Sequence, residues 1–228
     1  MKNKEFLNKI CRWIVAIFLP IVLILTILQG YAFNAKFYLT EFEKYDIPAV
    51  TQIEMKDLEK ITVRIIDYLK NEEKDLNIQM KINNQIEEVF GEREKQHMVD
   101  VKALFRQGFL LRNFGFLFVL SAFTILLKRK KTKEFFKGSM YASIISLAAM
   151  LWLFILMQID FFKYFTYFHE IFFNNDLWLL DPKTDVLIQM LPLEFFTDIA
   201  TSVVGWFIAS MVLVGGLSFY IIRKLKNE

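Results

Sequence analysis

At 228 residues, 55% apolar with 25 phenylalanines and a positive mean hydropathy, the chain is too hydrophobic for an ordinary soluble domain. Its formal net charge of +3 says little by itself, and its one cysteine, Cys11, excludes an internal disulfide.

Residues 1–12 form a basic arm, with Lys2, Lys4, Lys9 and Arg12 against Glu5. The apolar stretch 13–33 follows. It is long enough to cross a hydrocarbon core of roughly 30 Å, which takes about 20 helical residues. It is too long for the core of a cleaved signal, no small-x-small site follows it, and Pro20 is tolerable inside a membrane helix. The stretch therefore reads as an uncleaved anchor.

Residues 34–108 are too polar to span and too long for a simple connector, so they are expected to form a cap. Within it, "MKDLEKITVRIIDYLKN" places Leu58, Ile61, Ile65 and Leu69 on one helical stripe. "NIQMKIN" alternates Ile78, Met80 and Ile82 as a short strand. "EREKQHMVDVKALF" reads as a second amphipathic helix, with His97, Val101 and Leu104 on one side and Asp100 three residues from His97. A second span is expected at 109–127; Arg112 near its start can snorkel to the headgroups.

The loop 128–138, "KRKKTKEFFKG", is strongly basic and precedes a third span at 139–159. In 160–198 the aromatics from Phe161 to Phe173 are interrupted by Lys163, His169 and Glu170, which suits an interfacial or re-entrant segment better than a fifth span. "LLDPKTD" is a turn built on Asp181 and Pro182, and Pro192 suits the first turn of a last helix, whose span is 199–222. The arm, the basic loop and the tail 223–228 together hold 13 basic and 3 acidic residues, whereas 34–108 and 160–198 hold 14 basic and 22 acidic. The positive-inside rule then puts both termini in the cytoplasm and both long regions outside. Position between two spans makes "KRKKTK" a topology signal rather than a nucleic-acid patch. The fold class expected is an all-α polytopic membrane protein, with four transmembrane helices and a mostly helical cap carrying a short β element.

The only two histidines, His97 and His169, both fall in the outer regions. Alone, each has an ordinary reading: His97 as a solvated helix position, His169 as one more ring in an aromatic belt. Together, with Asp100 and Lys102 near the first and Glu170, Asn174, Asn175 and Asp176 near the second, they suggest a site. "HEIFF" lacks the second histidine of a His-Glu-x-x-His motif, and no cysteine lies outside. A metal held by His97, His169 and Asp100 or Asp176, in a membrane hydrolase, remains open. A serine hydrolase is weaker, because the serines lie in or beside the spans and no Gly-x-Ser-x-Gly occurs. Two histidines doing general acid–base work on a substrate that brings its own nucleophile is the reading left. A membrane sensor or chaperone with a binding cap is the other class.

"EREKQHMVDVKALF" and "FHEIFFNNDLWLLDPKTDVLIQMLPLEFF", set between four spans, resemble the lipoprotein intramolecular transacylase (Lit) family of Gram-positive bacteria. The resemblance runs over essentially the whole chain. It implies a four-helix enzyme of the bacterial plasma membrane with an extracellular cap, acting on diacylglyceryl-modified lipoproteins among membrane lipid. The implied reaction moves the sn-2 acyl chain onto the α-amino group of the same cysteine, and by motif match the family's two catalytic histidines map to His97 and His169. No cofactor and no nucleic acid are expected: ester-to-amide transfer runs downhill. His97 is the expected base, oriented by Asp100, and His169 the expected acid, with Lys102, Glu170 and Asp176 in support. The substrate contacts expected are Arg112, Phe165, Phe168, Phe172, Phe173, Asn174, Asn175 and Trp178.

Overall fold

The computed structural model describes residues 2–82 and 85–227; Asn83, at the end of the anticipated strand motif, and Asn84 lie outside the described residues. The chain runs α1 (Lys2–Ala32), α2 (Ala35–Lys44), α3 (Ile47–Thr51), α4 (Met55–Leu69), β1 (Gln79–Ile82), β2 (Gln85–Glu88), α5 (Glu92–Lys128), α6 (Thr132–Ile159), α7 (Phe161–Phe172), α8 (Val186–Met190) and α9 (Leu193–Asn227). Four of these, α1, α5, α6 and α9, are long and apolar enough to cross a membrane. The architecture is that of an all-α polytopic membrane protein, with one two-stranded antiparallel hairpin, Gln79 opposite Glu88.

The chain divides into a membrane unit (1–28, 108–159 and 201–228) and a cap unit (29–107 and 160–200). The amphipathic helix expected from Glu92 and the second span prove to be one uninterrupted helix, α5, of 37 residues. No proline interrupts it, and its two glycines, Gly108 and Gly115, cost only about 1 kcal/mol each. At 1.5 Å per residue α5 is about 55 Å long, far more than a bilayer core of roughly 30 Å. Its charged first part, 92–107, lies in the cap unit.

Within the membrane unit, small residues let backbones approach. A Cβ on Gly138 of α6 would sit 2.5 Å from the Arg12 carbonyl oxygen and 3.0 Å from Val15 Cβ, so only glycine fits there. Cys11, Val15, Ala122 and Leu126 form a small buried cluster beside this contact. α5 closes with Lys131 N–H donating to Leu126 O at 2.8 Å and Lys130 N–H to Leu127 O at 3.0 Å, around a left-handed Lys130 (φ 54°).

The cap unit has its own apolar core. The stripe Leu58, Ile61, Ile65 and Leu69 is buried along α4, as its spacing predicts. It packs with Tyr38 and Phe42 of α2, Ile47 of α3, Phe90, Met98 of α5, Leu187 and Met190 of α8, and Phe195 of α9. α2, α3 and α8 were not foreseen. The short α3 supplies one core residue and α8 two, and the Tyr38 hydroxyl anchors α2 by donating to the Ala32 carbonyl at 3.0 Å.

Candidate active site

His97 and His169 come together inside the cap unit, from α5 and α7. Both are 8% exposed, and their ring centres are 6.1 Å apart. The segment expected to be interfacial is helical because Asp160 caps it, accepting from Lys163 N–H at 3.0 Å, and neither glycine nor proline breaks the run to Phe172. The helical turn brings His169 one turn after Phe165, so His169 Nδ1 lies 2.7 Å from the Phe165 carbonyl oxygen. A carbonyl only accepts, so Nδ1 carries the proton and the neutral ring keeps its lone pair on Nε2.

Aromatic rings enclose this imidazole. Trp178 stacks on it at 4.8 Å, Phe165 and Phe168 meet it edge-on at 4.4 and 5.5 Å, and Phe173 lies 5.5 Å away. Phe173, itself buried, also touches His97, at 5.3 Å, so the three rings form a triangle. Phe172 stands one step out, half exposed against Phe168. Phe165 continues the wall through Phe196 and Phe195 to Tyr38 in the cap core.

One stripe of α5 fastens the loop after α7. Arg93 donates to the Asp176 carbonyl and pairs with its carboxylate at 3.8 Å. Asp100, two turns on, accepts from Asn175 Nδ2 at 2.9 Å, while Asn175 Oδ1 takes Leu177 N–H at 3.0 Å. His97 sits between these two clamps on the same stripe. Asp100, expected to orient His97, gives its carboxylate to Asn175 and acts on His97 only through its charge; His97 Nδ1 is buried without a hydrogen-bond partner among the described residues. Lys102 is turned away too, donating to Glu73 O at 2.9 Å over the Tyr68 ring. Glu170 and Asn174 are exposed, and Asp176 is bound to Arg93. Arg112 belongs to the membrane unit, where it donates to Asn113 Oδ1 and lies over Phe109.

Glu94 was missed. It is 3% exposed; Oε2 accepts from Gly91 N–H at 2.5 Å and Oε1 from Leu187 N–H at 2.6 Å. The first contact is half of a capping box, legible as Gly91 followed three residues later by Glu94. The second ties α8 to α5 and is invisible in sequence. Burial pushes the Glu94 carboxyl above its usual range, against the Leu187 and Gly91 N–H groups, which pull it down.

Both histidines are poised neutral. Burial first, and the neighbouring His169 second, pull His97 down to about 4, opposed by Asp100. Burial also lowers His169, opposed by the Phe165 carbonyl, which favours its protonated form. Among the described residues no three His, Cys, Asp or Glu side chains converge as a metal donor set. The arrangement is equipped for proton transfer in a largely apolar pocket.

No curated protein sequence matches the chain. Its fold is similar to that of the membrane integral lipoprotein intramolecular transacylase Lit of Bacillus cereus, at 21% identity, TM-score 0.85, over 98% of this chain and 100% of that one. Two structures of that protein with one histidine replaced, by Arg or by Ala, also match, with TM-scores of 0.75 and 0.76 at 21% identity; they cover 99% and 100% of this chain and 96% and 99% of their own. The family model for the lipoprotein intramolecular transacylase Lit matches residues 13–196. With four apolar helices and a histidine pair in a polar cap, the chain belongs to the Lit family of membrane-integral lipoprotein transacylases, and is an enzyme.

Proposed function

We propose that the enzyme moves the sn-2 acyl chain of a diacylglyceryl-cysteine lipoprotein onto the α-amino group of the same cysteine, with His97 and His169 as its proton-handling pair. The observation that carries this is a pair of buried imidazoles with ring centres 6.1 Å apart. That spacing leaves room for a reacting atom about 3 Å from a nitrogen of each ring. The amine attacks the ester carbonyl through an eight-membered ring, which closes poorly in solution. Holding the two ends together is the main task of the protein; orientation of this kind supplies about 7–11 kcal/mol in favourable cases. Trp178, Phe165, Phe168 and Phe173 offer apolar walls for the folded lipid head and exclude water that would hydrolyse the ester.

The geometry favours exchanging the roles expected from sequence. His169 Nε2 takes the proton released as the amine nitrogen bonds to the acyl carbon. His97, whose enclosed Nδ1 has no partner, carries its proton on Nε2 and donates to the oxyanion. When the carbon–oxygen bond breaks, the proton on His169 passes to the sn-2 alkoxide. The products are an amide and a free glyceryl hydroxyl, and no proton is gained or lost.

The basic excess of the arm, the 128–138 loop and the tail supports cytoplasmic termini and an extracellular cap. A cysteine at Asn77 should then react with an impermeant thiol reagent in intact cells, and one at Thr132 should not. The reaction itself is tested by mass spectrometry of a dipalmitoylglyceryl-cysteine lipopeptide incubated with the reconstituted enzyme. An N-acyl, monoacylglyceryl cysteine is expected. A free amine left unchanged by folded, monodisperse protein contradicts the proposal.

A further inference from the structure

The membrane unit contains a second polar centre that the transacylase reaction does not use: a cavity of about 620 Å³ lined by Lys9, Arg12, Arg129, Lys131 and Lys137, with Asn8, Glu5 and Glu134. Its charges are unevenly satisfied. Glu134 is taken up by Arg12 at 3.1 Å and Lys137 at 2.6 Å, and Asn8 Oδ1 accepts from Arg129 at 2.9 Å. Lys9 and Lys131, both exposed, have no ion-pair or side-chain hydrogen-bond partner among the described residues, and Arg12 Nε is enclosed with none. Glu5, the one remaining carboxylate, is exposed. Two free ammonium groups facing a cavity, together with an enclosed N–H that lacks an acceptor, describe a site missing an anionic oxygen ligand.

The surroundings say which anion. Trp13 and Tyr141 lie 5.8 Å apart, with the Arg12 guanidinium 5.6 Å over the Tyr141 ring, the aromatic-and-cation pairing found at headgroup level. Phe6, Trp13 and Ile17 present exposed apolar side chains from the same helix, a track along which an acyl chain could lie. The wall behind is rigid: Cys11, Val15 and Leu126 are buried, and α1 and α6 touch backbone to backbone at Gly138. We propose that this cavity binds the phosphate of an anionic membrane lipid, with Lys9, Lys131 and Arg12 Nε as its ligands. Basic pockets between transmembrane helices on the cytoplasmic side are suited to such headgroups.

Native mass spectrometry of the delipidated full-length protein, titrated with phosphatidylglycerol or with phosphatidylcholine of the same chains, tests this. The Lys9 and Lys131 side chains make no hydrogen bond or ion pair among the described residues, and the backbone bonds of Lys131 survive a side-chain change, so the Lys9→Gln, Lys131→Gln double variant should stay monodisperse. Phosphatidylglycerol should bind the wild type well above phosphatidylcholine. The double variant should lose about 25-fold of that affinity, about fivefold per lysine, as expected from ~1 kcal/mol for each basic residue near a membrane surface. Equal binding of the two lipids, or unchanged phosphatidylglycerol binding by the variant, would overturn the proposal. So would full displacement of phosphatidylglycerol by excess inorganic phosphate, which would make this a site for the soluble anion.

Discussion

The protein has two polar centres of opposite character. In the cap, two imidazoles are buried so that their charged forms are disfavoured, and Asp100 beside them is engaged with the Asn175 amide. In the membrane unit, five basic side chains line one cavity, and two of their ammonium groups have no partner among the described residues. The difference teaches that burial, more than the count of charged residues, sets what a site can do. Proton transfer calls for groups near neutrality in an apolar enclosure, whereas anion binding calls for fixed charge open to a ligand.

The strongest way to break the comparison is at the histidines. His97→Gln and His169→Gln should each lower the transacylation rate by about 10²–10⁴-fold, with the double variant little worse than the worse single one. Product formed per amount of monodisperse protein measures this; near-wild-type turnover in either variant removes that residue from the mechanism. Next in size is Glu94. Glu94→Ala leaves two N–H groups without their carboxylate and should destabilise the cap by about 2–4 kcal/mol, read by denaturant unfolding.

Gly138→Ala should act on the other unit. Its Cβ would meet a backbone oxygen at 2.5 Å, and overpacking of this kind costs about 1–3 kcal/mol, visible as a lower Tm in detergent with the imidazole signals of the cap unchanged.

Acid sharpens the contrast. His97 has its folded pKa pulled below the usual 6.5, to about 4. Between those values the unfolded chain binds the extra proton, so stability should fall as pH drops from about 6.5 to about 4. His97→Gln should flatten that slope, and neutralising Lys9 should not. The smallest effect belongs to Asp100→Asn, expected to cost only several-fold in rate: Asn can still bond Asn175, and the loop it clamps is also held by Arg93.

The sequence made the spans legible because hydropathy depends on composition alone, and it made the α4 stripe legible because helical spacing is local. The histidines stood out as the only two in the chain, in company that suggested a site. Their partners were harder to read. Asp100 is three residues from His97, but spacing along a helix cannot show that Asn175, 75 residues away, reaches that carboxylate first. Glu94 looked like one charge among many on "EREK" until the fold brought Leu187 N–H to it. The short helices α2, α3 and α8 carry too few apolar positions to show a period, and form because the cap core takes up Tyr38, Phe42, Ile47, Leu187 and Met190.

The central claim is that both histidines are uncharged, with His169 holding its proton on Nδ1. Because the chain has only two histidines, [15N]histidine labelling gives one imidazole pair for each, assignable with the Gln variants. Nitrogen NMR of the reconstituted protein should show neutral rings at pH 6.5, a protonated Nδ1 and bare Nε2 on His169, and no charging of His97 until the pH approaches 4. An imidazolium signal from His97 at neutral pH, or a His169 proton on Nε2, would contradict the account.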